Sequence, residues 1–163
     1  MLVSSYGSLT MTSTVLIPAE IVDLLRDGLR SQIALAAHNL RNADERLDAR
    51  EHPERYQDPL RRMDALRALL DEIGWSTPSS DRQVDLTIHG AALIDALQDQ
   101  LSVHADMLRD TDQDDERRQA ITRDVNALTA LAVTVLLRTQ ARMLRGAEAQ
   151  VGCAAHHGAL GAR

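Results

Sequence analysis

From Ile21 to Leu47 an apolar side chain recurs at every third or fourth position, through Leu25, Leu29, Ile33, Ala36, Leu40 and Ala43. Asp23, Asp27, Arg30, Arg41, Glu45 and Asp48 occupy positions between them. At about 100° per residue the apolar set falls in one stripe roughly 120° wide, the pattern of an amphipathic helix and not the two-residue period of a strand. Pro18 suits the first turn of this helix, where its missing N–H costs nothing. Pro53 ends it near His52, because proline disfavours helical geometry in the residue before it.

Three further segments carry the same period. Asp58-Pro59 reads as an N-cap and first-turn pair, followed by Leu60, Met63, Leu66, Leu70 and Ile73. Gly74 then supplies a left-handed residue to close this second helix, and Trp75 is placed to fold back and bury its ring on the last turn. The polar stretch Ser76 to Asp81 reads as a loop. Asp85 caps a third helix with Leu86, Leu93, Leu97, Leu101 and Leu108 on its core face. A fourth runs from about Glu116 to Arg145 on Ile121, Val125, Leu128, Ala132, Val135, Leu136 and Met143. Its acidic approach, Asp110 to Asp115, suits the positive end of a helix dipole. Val15-Leu16-Ile17 is the one β-branched run and is too short to pair alone. The expected fold is all-α, an antiparallel four-helix bundle over residues 15–145, with disordered segments at 1–14 and 146–163. At 163 residues the chain is long enough for one domain with a sizeable core.

Composition removes several kinds of chemistry. All 18 basic residues are Arg, so no lysine Schiff base or phosphate-cradling lysine is possible. The single Cys, Cys153, excludes an intrachain disulfide. No glycine-rich phosphate loop, dinucleotide fingerprint, Gly-x-Ser-x-Gly elbow or Cys-x-x-Cys pair occurs. No His and Glu stand at the spacing that di-iron bundles or helical zinc proteases use. The carboxylate pairs Asp23/Asp27 and Asp95/Asp99 lie on polar helix faces and read as solvated charge. A net charge of −6 and only three aromatic residues argue against nucleic-acid binding. The longest apolar window, Ala127 to Leu137, falls short of the roughly 20 residues a membrane span needs. The opening residues lack a secretory signal, so the expected location is cytoplasmic. No cofactor and no metal site is expected.

Histidine titrates near neutral pH and binds metals, which makes its positions informative. His38 and His52 fall at exposed positions. His104 lies near the centre of the third helix's apolar face, with His89 on its flank, as core residues hydrogen-bonded to a facing group such as Thr139 or Gln32, or as the polar part of a ligand pocket walled by Trp75. Cys153, His156 and His157 have metal-donor chemistry but sit in a Gly/Ala-rich tail with nothing to hold them in place. Arg138, Arg142 and Arg145 complement the fourth helix's negative end.

The fourth helix also carries a second apolar patch about 130° from its main stripe, made by Ala130, Val133, Leu137, Ala141 and Leu144. A helix apolar on two sides is either central to its bundle or presents one side to a partner. The leading expectation is therefore a non-enzymatic protein that works through protein contacts as a homodimer. The alternatives are a small-ligand or metal-binding bundle with a pocket near His104, and an enzyme with a dispersed site.

At Val15-Leu16-Ile17-Pro18, Asp58-Pro59-Leu60 and Ala68-Leu69-Leu70-Asp71-Glu72-Ile73-Gly74-Trp75 the chain resembles a group of small uncharacterised all-helical proteins of actinobacteria. Arg without Lys and abundant Ala agree with a GC-rich genome of that kind. The resemblance covers about Val15 to Leu108. It implies a helical fold and no assigned reaction, because its motifs are helix starts and a helix ending.

Overall fold

The computed structural model describes residues 13–45, 51–75, 80–109 and 115–158, and the side chains of 13–43, 51–75, 80–109 and 115–144. The described chain is predominantly helical, with four helices and one two-stranded sheet. In order these are β1 (Thr14–Ile17), α1 (Ala19–Glu45), α2 (Glu54–Ile73), β2 (Arg82–Asp85), α3 (Leu86–Arg109) and α4 (Asp115–Gly158).

The short apolar run before Pro18 does pair. β1 runs antiparallel to β2, with Val15 opposite Val84 and Ile17 opposite Arg82. Val15, Ile17 and Val84 turn into the core while Leu16 points outward, the alternation of a half-buried strand. The Leu86 amide adds a bond to the Ser13 carbonyl at 2.7 Å, and Gln83 Nε2 donates to Thr14 Oγ1 at 2.9 Å. A strand too short alone is stabilised by a partner far along the chain and by the apolar face both share.

The loop before β2 also serves α1. The Ala19 amide donates to Asp81 Oδ1 at 3.0 Å, placing a carboxylate at the positive end of α1. The stripe expected for α1 is buried at Ile21, Leu25, Leu29 and Ile33 and half-buried at Ala36 and Leu40. Its last expected position, Leu47, lies outside the described residues.

α2 starts earlier than the Asp58-Pro59 pair indicated. Its N-cap is Pro53, whose ring sets φ at −60°, and the amides of Arg55 and Tyr56 bond back to the carbonyls of His52 and Pro53. Pro59 sits inside the helix. It is close enough to the start that the one backbone bond it forgoes is tolerated, and Asp58 is an exposed helical residue 3.8 Å from Arg61. The other end has the positive φ that favours Gly, 88° at Gly74, and the Gly74 amide bonds to the Leu70 carbonyl at 2.9 Å. Its ψ of 139° is extended, however, and the chain leaves the helix without folding back. Trp75 is consequently 50% exposed, not buried, and its Nε1–H donates to Asp71 Oδ1 on the last turn.

α3 touches the other three helices and both strands. Leu93 and Leu97 are fully buried. α1 crosses it closely at Gly28, where a Cβ would lie 2.0 Å from Gln100 Nε2. α4 packs chiefly on α3 and much less on α1. Its buried seam is Ile121, Leu128, Leu131 and Val135, narrower than the stripe read from the sequence, and Leu136 and Met143 are exposed. A helix facing essentially one neighbour needs only such a seam. α4 continues as helix to Gly158, past the Arg145 end expected from the glycines. Of the expected disordered segments, residues 1–12 and 159–163 lie outside the described residues, as do the side chains of Cys153, His156 and His157, whereas 146–158 are part of the helix.

Candidate functional site

α3 is entered through a tight polar corner. The hydroxyl of Thr87 and its backbone N–H both donate to Asp85 Oδ1 at 2.7 Å. The hydroxyl bond, then the amide bond, hold the Asp85 carboxyl below the usual carboxylate range. This is the N-cap expected of Asp85.

His89, one turn further on, is buried, and so is His104. Fifteen residues of helix separate them, about 22 Å at 1.5 Å per residue, so they do not converge on one ligand. His104 Nδ1 lies 2.8 Å from the Gln100 carbonyl, which can only accept, so that nitrogen carries a proton. Nε2 faces Asp124 Oδ2 of α4 at 3.9 Å. The partners are thus its own helix and Asp124, neither Thr139 nor Gln32. Trp75 sits at the end of α2, with its carbonyl accepting from Arg30 Nη2 and the Gly74 carbonyl accepting from Arg26 Nε at 2.8 Å. Two arginines of α1 therefore hold the carbonyl end of α2, where positive charge is favoured.

The second patch on α4 is open to solvent along its length. Ala130, Val133, Leu137, Ala141 and Leu144 are all exposed, Leu137 and Leu144 by more than 60%. Leu136 and Met143 widen the surface, and Arg138 at its side donates to the Thr14 carbonyl of β1. The segment Asp115–Leu144 is also long and apolar enough to cross a membrane by length and composition, which the eleven-residue window alone did not indicate. Its opposite side is committed to α3 through the fully buried Leu128 and Val135.

A cleft of about 780 Å³ opens elsewhere, between α1, α2 and α3. Leu35, Ala36 and Leu40 of α1 and Met63 and Leu66 of α2 supply apolar walls. Asp58 and Arg62 of α2 and Asp95 and Asp99 of α3 supply charge, with Arg62 Nε 3.1 Å from Asp95 Oδ2. Gln32 also lines it, and both of its amide atoms are buried with no hydrogen-bond partner among the described residues. Neither His89, His104 nor Trp75 takes part. Sequence periodicity placed Asp95 and Asp99 on a solvated face and offered Gln32 only as a partner for a core histidine, since one helix's pattern does not reveal which second helix will shelter its polar edge. Among the described residues no three His, Cys, Asp or Glu side chains are grouped to hold a metal ion.

No protein-family model, no curated protein and no solved structure matches the chain.

Proposed function

We propose that this protein acts through protein contacts, without enzymatic chemistry of its own, as a cytoplasmic homodimer joined along the second apolar face of α4. The observation that carries this reading is the exposure of Val133, Leu137 and Leu144 in one line with Ala130 and Ala141. These positions recur every three or four residues, the spacing with which one helix packs along another. Small Ala side chains between larger Val and Leu suit a self-complementary fit, and a two-fold pair covers both copies of the face at once.

The same spacing on a membrane surface would have to coexist with Asn126, Thr129 and Gln140 on the exposed side of the helix and with the packing of Leu128 and Val135 onto α3. A polar-interrupted face favours a protein partner over hydrocarbon. In this reading the helices of each subunit form an antiparallel four-helix bundle, with the β1–β2 ribbon at its side. Kinship with small actinobacterial helical proteins belongs to the same proposal and rests on the segment ending at Gly74-Trp75.

Sedimentation of the wild type and of Leu137→Glu tests the proposal. The wild type is expected to be dimeric at about 50 µM, above the dissociation constant of a micromolar complex, and Leu137→Glu monomeric with unchanged helicity. A wild type that stays monomeric at that concentration, or one that floats with liposomes instead of self-associating, overturns it.

A further inference from the structure

We propose that the cleft between α1, α2 and α3 is a binding site for a small organic amine with an apolar body. Its volume, about 780 Å³, is within the range of clefts that enclose small molecules, and its walls are largely aliphatic with a few polar groups. Such walls accept the body of a ligand. The polar groups choose its head.

Three carboxylates, Asp58, Asp95 and Asp99, line the cleft; Asp95 engages Arg62 at 3.1 Å and Asp58 faces Arg61 at 3.8 Å. The balance is negative. Asp95 and Asp99 stand one helical turn apart on α3, so their carboxylates project to the same side of that helix. Ionised carboxylates only accept hydrogen bonds, and an ammonium group offers three donors and a positive charge. An anionic ligand meets repulsion here, and a neutral one leaves the field of Asp99 unanswered. A bare divalent cation is the lesser fit, because no three carboxylate or imidazole groups among the described residues are grouped for it.

Gln32 is the independent observation. Its amide nitrogen and oxygen are both buried at the wall of the cleft, and neither has a hydrogen-bond partner among the described residues. Buried polar atoms are almost always satisfied, and a pair left open at a cavity wall is a place where a bound molecule supplies the missing bond. Both atoms are shut off from solvent as the cleft stands, so a ligand engages the amide by drawing the Gln32 side chain toward it, and the amide then offers a donor and an acceptor. The sheltered amide, the aliphatic walls and Asp99, which has no ion pair among the described residues, therefore describe one site, which is distinct from the α4 face and independent of the oligomeric state.

Titration calorimetry on the full chain tests this with three matched probes: 4-phenylbutylamine, 4-phenylbutan-1-ol and 4-phenylbutyrate. The amine is expected to bind, the alcohol about tenfold more weakly or less, and the carboxylate without measurable heat. Asp99→Asn should weaken the amine about tenfold and leave the alcohol unchanged, whereas Asp106→Asn, a surface carboxylate on the same helix already paired with Arg109, should change neither. The Gln32 side-chain amide resonances, assigned by their loss in Gln32→Leu, should shift on adding the amine to the wild type. Equal binding of amine and alcohol overturns the proposal. So does an Asp99→Asn effect no larger than that of Asp106→Asn in a protein of unchanged helicity, or the absence of amine binding at millimolar concentration.

Discussion

Gly28 and Arg26, one helical half-turn apart on α1, show how much of this fold depends on single side chains. Ala is ordinarily the better helix former by up to about 1 kcal/mol, so Gly in the middle of a long helix requires a reason. Here it is space: an added Cβ would meet Gln100 at 2.0 Å from Nε2 and 2.6 Å from Cδ, so the end of that buried side chain would have to leave its place. Gly28→Ala is expected to destabilise the protein by about 1–2 kcal/mol in urea unfolding. In a Gln100→Ala background the same change should reverse sign and stabilise by about 0.5–1 kcal/mol, which a double-mutant cycle would measure directly. Arg26 is the buried member of the pair that grips α2; it bonds the Gly74 carbonyl and meets Asp23 at 2.7 Å, while Arg30 and Asp27 make a looser, exposed pair at 3.5 Å. Arg26→Met should therefore cost about 2 kcal/mol, and Arg30→Ala under about 1 kcal/mol, in the same assay.

The ends of elements were legible in the sequence where a side chain acts locally, and obscure where the outcome depends on a distant strand or helix. Asp85 was recognisable as a cap because its partners, the amide and hydroxyl of Thr87, are two residues away. Its depressed carboxyl makes a pH prediction with a definite sign. A group whose folded pKa lies below its unfolded one adds stability that is complete above the unfolded value and disappears as pH falls through the folded one. The urea midpoint of the wild type should thus exceed that of Asp85→Ala at neutral pH, and the gap should close on acidification below the ordinary carboxylate range. A gap that stays constant with pH would show that the carboxylate charge plays no part. Gly74 was legible as a helix stop with positive φ, but not its extended ψ, which presents the Gly74 and Trp75 carbonyls to Arg26 and Arg30 of a distant helix. The early start of α2 was hidden because Pro59 resembles a first-turn proline, and one period-3.6 pattern does not distinguish a proline at a helix start from one shortly after it.

At the scale of the whole molecule, the four amphipathic runs were readable because each stripe is a property of its own segment, whereas the cleft exists only once three helices meet. Asp95 and Asp99 look like ordinary solvated residues along α3, and Gln32 like a polar interruption of α1, until α2 brings Arg62 and Met63 across them. The exposed face of α4 was legible for the opposite reason, since an apolar patch that stays open to solvent keeps the periodicity it has in the sequence. The β1–β2 ribbon was missed because Arg82-Gln83-Val84-Asp85 has one β-branched residue and pairs with a segment far away in the chain, Val84 with Val15. That separation carries a kinetic consequence. The ribbon can close only after a long loop has lost its freedom, so α1, α2 and α3 must already be held near one another when the strands meet. The two strands then act as a late-closing latch. Val84→Ala, at a fully buried position, should leave the refolding rate nearly unchanged in stopped-flow measurements and appear almost wholly as faster unfolding, so the length of time each molecule stays folded is set in large part by four residue pairs at the edge of the helical body.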